Sequence, residues 1–193
     1  MARIIFVTHP DVVIDPEVPV PQWPLSDLGR ARMTAFAERL AGEGLAAVWT
    51  SEERKALDGG EILSARLGIP HCVDADLGEN DRSSTGYLEA DAFWPVVQRF
   101  FAHPDESVCG WETARHAQDR IVAAVRSAAD AQAGDIAIVS HGGVARLLTA
   151  HLQGVTIGEE DRPGNRHGGC FISFDLHQPG SVTRWRDVED WSG

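Results

Sequence analysis

Arg3-Ile4-Ile5-Phe6-Val7-Thr8-His9 is an apolar run that ends on a histidine. From Ile4 to Val7 no polar residue alternates with the apolar ones, the pattern of a strand buried on both faces of a parallel sheet. Pro10 stops the run, and Pro16, Pro19, Pro21 and Pro24 keep the following passage out of helix and central strand. A histidine at the carboxyl end of a central parallel strand sits where open α/β sheets place their ligands. Taken alone it reads more readily as a capping or core residue. The pattern recurs far along the chain, where Asp135-Ile136-Ala137-Ile138-Val139-Ser140 leads into His141.

Between these two strands the punctuation is that of alternating strands and helices. Ser26 is a helix cap ahead of a stripe formed by Leu28, Ala31, Ala35, Phe36 and Leu40. Residues 46–50 read as a strand, 52–67 as a helix closed by Gly68 and Pro70, and 71–73 as a short strand. Residues 76–107 read as an insertion over the sheet built around a helix at 90–101, and 111–131 as a further helix. Gly142-Gly143 opens a helix that stops at Gly154, a polar loop covers 158–169, and 170–174 with 181–187 read as a hairpin. The expectation is an α/β fold of three layers, α/β/α, with a mostly parallel central sheet, in one domain over residues 1–193.

A chain of 193 residues with 43% hydrophobic and 24% charged content matches one globular domain. No apolar run reaches the ~18 residues that a membrane span needs, and the N-terminus lacks a signal-peptide pattern. A cytoplasmic protein is expected. The net charge of −12 argues against nucleic acid, whose phosphate backbone needs a basic footprint, yet it leaves room for a small phosphorylated ligand in a locally basic pocket. Cys72, Cys109 and Cys170 form no Cys-x-x-Cys pair and read as reduced thiols, with no structural zinc.

If the two long strands are neighbours, His9 and His141 face one another across a crevice. Gly142 and Gly143 bring backbone amides of a helix N-terminus beside them, a ready anion site. Thr50-Ser51 ends another strand there, with Arg54 and Lys55 in the turn that follows. Imidazoles, hydroxyls, amides and a cation together suit a phosphoryl group.

The order of strand–His9, Leu25-Ser26-Asp27-Leu28-Gly29, Thr50-Ser51 leading to Lys55-Ala56, Leu77-Gly78-Glu79, and Val139-Ser140-His141-Gly142-Gly143 resembles the histidine phosphatase superfamily, with its phosphoglycerate mutase-like fold. The likeness runs over essentially the whole chain. Four positions depart from it: the family's Arg-His-Gly is Thr8-His9-Pro10, its phosphate-binding Arg is Lys55, and a Thr four residues further is Gly59. The resemblance implies a metal-independent phosphatase without cofactor, acting on a small phosphorylated molecule. His9 would be the nucleophile and form a phosphohistidine. Glu79 would be the general acid and base, with Asp81 as its rival. His141, Lys55 and the Gly142 amide would stabilise charge on the phosphoryl oxygens, and Thr8 would add an uncharged donor.

Arg82, Arg162 and Arg166 are candidates for substrate binding, against the plainer reading of surface ion pairs and solvated loop. Because Lys is a point charge and not a bidentate clamp, a phosphatase-like protein that binds a phosphorylated ligand with little turnover is the main alternative. A mutase-type phosphotransferase fits a short acidic chain less well. A metal-dependent hydrolase lacks carboxylates at ligand spacing from His9 and His141. The insertion or a sheet edge offers a surface for a homodimer; no membrane partner is expected.

Overall fold

The computed structural model describes residues 3–162, 167–178 and 180–192. Six strands form one sheet: β1 (Arg3–Thr8), β2 (Ala47–Thr50), β3 (His71–Val73), β4 (Ile136–Ser140), β5 (Cys170–Asp175) and β6 (Arg186–Asp187), in the order β3-β2-β4-β1-β5-β6. β1 and β4 run side by side and parallel, with Ile4 opposite Ile136 and Thr8 opposite Ser140. β2 pairs in parallel with both β4 and β3, whereas β5 and β6 form an antiparallel edge. The sheet is therefore mostly parallel.

Five α-helices cover its faces: α1 (Asp27–Arg39), α2 (Arg54–Leu67), α3 (Ala90–Ala102), α4 (Ala114–Asp130) and α5 (Gly142–Gln153). The strand residues divide by parity, as the pleat requires. Ile4, Phe6, Ile136 and Ile138 pack into the core with Ile121, Val125, Leu147 and Leu148 of α4 and α5. Ile5, Val7, Ala137 and Val139 point the other way, to Met33, Phe36 and Leu63 of α1 and α2. A strand with both faces covered has no polar position to spare, hence the unbroken apolar runs.

Two expectations need correction. The buried stripe of α1 is Gly29, Met33, Phe36 and Ala37, continuing to Leu40, while Leu28 is 59% exposed and Ala31 is also exposed. The cause is a backbone approach: a side chain on Gly29 would collide with the Asp11 carbonyl oxygen, which also accepts the Ser26 amide at 2.9 Å. That contact turns Gly29 inward and Leu28 to solvent. The expected C-terminal hairpin shrinks to two residues on β6, because side chains take over part of its ladder. Asp175 and Ser173 donate their amides to Ser181 Oγ and Thr183 Oγ1, both at 2.9 Å. Ser26 caps α1 as expected, accepting the Gly29 amide at 3.1 Å.

Candidate active site

Because β1 and β4 are in register, His9 and His141 leave the sheet at the same level, their ring centroids 5.2 Å apart. His9 Nδ1 lies 2.9 Å from the Pro10 carbonyl oxygen. A carbonyl only accepts, so Nδ1 carries the proton and Nε2 keeps its lone pair. Burial, helped by His141 and Lys55, lowers the His9 pKa to about 3, leaving a neutral imidazole at the crevice. His141 is fully buried. Its Nε2 sits 2.7 Å from Ser51 Oγ and 3.4 Å from Glu53 Oε1, and its Nδ1 is buried without a partner among the described residues. Burial lowers its pKa as well, against the opposing charges of Glu53 and Glu79.

Glu79 is delivered by a short segment pinned from two sides. Ser140 Oγ donates to the Leu77 carbonyl at 2.7 Å, and the Arg120 guanidinium of α4 donates to the carbonyls of Asp76, Gly78 and Glu79. The Glu79 carboxylate then seats on the first turn of α5, accepting the amides of Gly143 and Val144 at 3.0 Å each and that of Asn80 at 3.2 Å. A helix N-terminus is a favourable place for a carboxylate. Gly142 donates its own amide to none of the described residues, and the space around its α-carbon is open. Lys55 is buried, its ammonium bonded to the Glu53 carboxylate and, at 3.0 Å, to the Val20 carbonyl of the Pro-rich segment. The cluster around the two imidazoles thus holds two carboxyl groups, Glu53 and Glu79, against one ammonium.

The family model of the histidine phosphatase superfamily (branch 1) matches residues 20–187. The chain belongs to this superfamily. A glucosyl-3-phosphoglycerate phosphatase of Mycolicibacterium vanbaalenii is 30% identical over 189 residues, covering 87% of this chain and 83% of that one. Among solved structures, Bacillus stearothermophilus YhfR superposes with a TM-score of 0.77 at 22% identity, covering 95% of both chains. A mycobacterial glucosyl-3-phosphoglycerate phosphatase in complex with inorganic phosphate superposes with a TM-score of 0.76 at 23% identity, covering 96% of this chain and 95% of that one. The fold is the phosphoglycerate mutase-like one, and the chain is a phosphoric monoester hydrolase by this kinship. The family match opens after His9, so the place of that residue rests on geometry.

Of the residues singled out in this histidine phosphatase, the structure brings together His9, His141, Lys55, Glu79 and Gly142. Thr8 is adjacent, but its hydroxyl is occupied within the sheet: Oγ1 donates to the Cys170 carbonyl at 3.3 Å and accepts the Cys170 amide at 3.1 Å. Asp81 is exposed and turned to its own loop, where accepting the Ser83 amide at 2.8 Å lowers its pKa. The Arg82 guanidinium lies 5.1 Å from the Phe93 ring and 5.8 Å from that of Trp111, and its charge is felt at His141.

Arg162 donates to the Gly158 carbonyl at 3.1 Å and lines a cavity of about 610 Å³ between α3, α5 and the following loop, away from the two histidines. Arg166 lies outside the described residues. Sequence reasoning places Ser51 only as a hydroxyl at a strand end by the crevice, and it misses Glu53, whose only signal is position, two residues before Lys55.

Proposed function

We propose that this chain hydrolyses a small phosphomonoester through a phosphohistidine on His9, without a metal ion. The carrying observation is the hydrogen bond from His9 Nδ1 to Pro10, which leaves Nε2 unprotonated and without a partner among the described residues, beside His141. Nε2 attacks phosphorus, a P–N bond forms, and the P–O bond to the leaving group breaks. Glu79 gives a proton to the departing oxygen, then takes one from the water that attacks phosphorus and releases phosphate. Its seat beside His141 favours it over Asp81. His141, Lys55 and the Gly142 amide are the groups placed to meet the charged oxygens.

A small phosphorylated ester of the glucosyl-3-phosphoglycerate kind is the first natural substrate to try, on the strength of the relatives. Cysteines without a Cys-x-x-Cys pair fit reduced thiols in a reducing compartment, the cytoplasm.

The test is hydrolysis of p-nitrophenyl phosphate, with chelator present, by the wild type and His9→Ala, together with trapping of acid-labile phosphate on the protein. Turnover and label that both vanish in His9→Ala are expected. The engagement of Lys55 by Glu53 favours one second reading, a protein that holds a phosphorylated ligand with little turnover. Ligand binding with no turnover above the His9→Ala background would establish it.

A further inference from the structure

Glu53 stands at the N-cap of α2, but its side chain makes no capping hydrogen bond. It turns into the crevice instead and is only 15% exposed. One oxygen takes the Lys55 ammonium. The other accepts the Glu79 amide at 3.0 Å and lies 3.4 Å from His141 Nε2. Lys55 and His141 are two of the groups that a transferring phosphoryl group would need, and the carboxylate already supplies them with an anion.

We infer that Glu53 is an internal anion of the phosphoryl site: its carboxylate pairs with Lys55 and lies against His141 in the free enzyme, and competes there with dianionic phosphate. It is a specificity-determining residue, in a role that rests on His9, Lys55 and His141 forming the phosphoryl site. A small dianion such as inorganic phosphate must displace or crowd a carboxylate to enter, with no other contacts to offset the repulsion. A substrate with a second group to bind can overcome that barrier, so Glu53 makes the product a poor ligand and the extended ester a better one. Glu53 is unsuited to donating a proton itself. Burial opposes its ionisation, but His141, Lys55 and the Glu79 amide hold its pKa down at about 2. Nor does Glu53 merely free Lys55 on leaving, because the Val20 carbonyl keeps the ammonium in place.

The experiment is inhibition of p-nitrophenyl phosphate hydrolysis by inorganic phosphate and by orthovanadate in the wild type, Glu53→Gln and Glu53→Leu, with Glu53→Asp as the conservative variant. Loss of the charge in Glu53→Gln or Glu53→Leu should lower the phosphate Ki by about tenfold or more, and Glu53→Asp should keep it near the wild-type value. An unchanged or raised Ki in the charge-free variants, with hydrolysis still dependent on His9, overturns the inference and makes Glu53 a support for Lys55 and His141. Absence of His9-dependent hydrolysis in the wild type removes the phosphoryl site itself, a failure recognisable before any Glu53 variant is measured. Should neither charge-free variant fold, the wild type decides: inhibition by phosphate only at millimolar concentrations or above is expected, and a micromolar Ki overturns it.

Discussion

Glu79 Oε2 accepts the Gly143 amide at 3.0 Å, and a Cβ on Gly143 would lie 2.5 Å from Oε1 of the same carboxylate. The absence of a side chain at Gly143 is what lets Glu79 seat on the first turn of α5. Gly143→Ala should therefore push the carboxylate off its two α5 amides while leaving the helix intact. Because a displacement of ~1 Å at a reacting group costs on the order of 10² in rate, kcat should fall by about that factor. Melting temperature should change little, since Ala gains ~1 kcal/mol of helix propensity over Gly to set against the clash. Steady-state kinetics beside a thermal melt checks both, and a kcat near wild type would detach Glu79 from the chemistry.

Asp58 is a fully buried carboxylate on α2 that joins three pieces of the fold. It accepts the Leu25 amide at 3.0 Å and pairs with Arg30 of α1 at 2.6 Å and with Arg54 at 2.7 Å. Removing one partner of a buried, hydrogen-bonded ion pair costs ~3 kcal/mol or more, chiefly through the groups left unpaired. Both arginines are about half exposed and can turn to water, which places Asp58→Ala at the low end of that cost. For a chain of this size the cost corresponds to a fall in Tm of roughly 6–12 °C. A differential scanning measurement showing no change would mean that the triad is not coupled to global unfolding.

What could be read in the sequence was what is decided locally. The runs Ile4–Val7 and Ile136–Val139 state their own burial, and a histidine that follows such a run is at a strand end wherever the strand goes. That placed His9 and His141 before any pairing was known, and the sheet then made them neighbours. The face of α1 departs from its periodicity because it depends on Gly29 meeting Asp11, a contact that spacing does not encode. Thr8 reads as a donor at the site, yet its hydroxyl partner is 162 residues away on β5. Glu53 is illegible in the sequence for a different reason. Whether the residue two before Lys55 caps the helix or turns into the crevice is settled by Lys55, His141 and Glu79 together, and they come from three separate segments.

The depressed pKa values link the site to acid stability. His9 falls from the ordinary 6.5 to about 3 on folding, chiefly through burial, and His141 is lowered too. Between those values the unfolded chain binds a proton that the folded one refuses, so stability is lost as the pH falls below about 6.5. Glu53 falls from 4.5 to about 2, held down by His141, Lys55 and the Glu79 amide against the effect of burial. Its contribution is complete above about pH 4.5 and is lost as the pH falls from there towards about 2. Both slopes have the same sign, so Tm should decline on acidification in two stages. His9→Asn should flatten the upper stage and Glu53→Gln the lower. Because folded His9 stays neutral down to about pH 3, the pH profile of kcat/KM should show no acid limb near pH 6.5 from His9 ionisation.

Arg82 differs from the other arginines near α5 in what holds it. Arg120 is consumed by Glu112 and three carbonyls, and Arg146 by the buried Glu160. Arg82 has no ion-pair partner among the described residues and lies against the rings of Phe93 and Trp111 instead. Ring contacts fix the plane of a guanidinium while leaving its N–H edges free, a disposition suited to a carboxylate or second phosphate of a substrate. Replacing Arg82 with Ala should raise KM by about tenfold for an ester that carries such a group, with kcat within about threefold, the pattern of lost uniform binding. For p-nitrophenyl phosphate, which has no second anion, KM should stay within about twofold of wild type. Arg82→Lys should rescue the extended ester only in part, because a point charge does not reproduce a planar fork. An equal rise of KM for both substrates would instead place Arg82 on the transferred phosphoryl group, making it the cation that supplements Lys55 there.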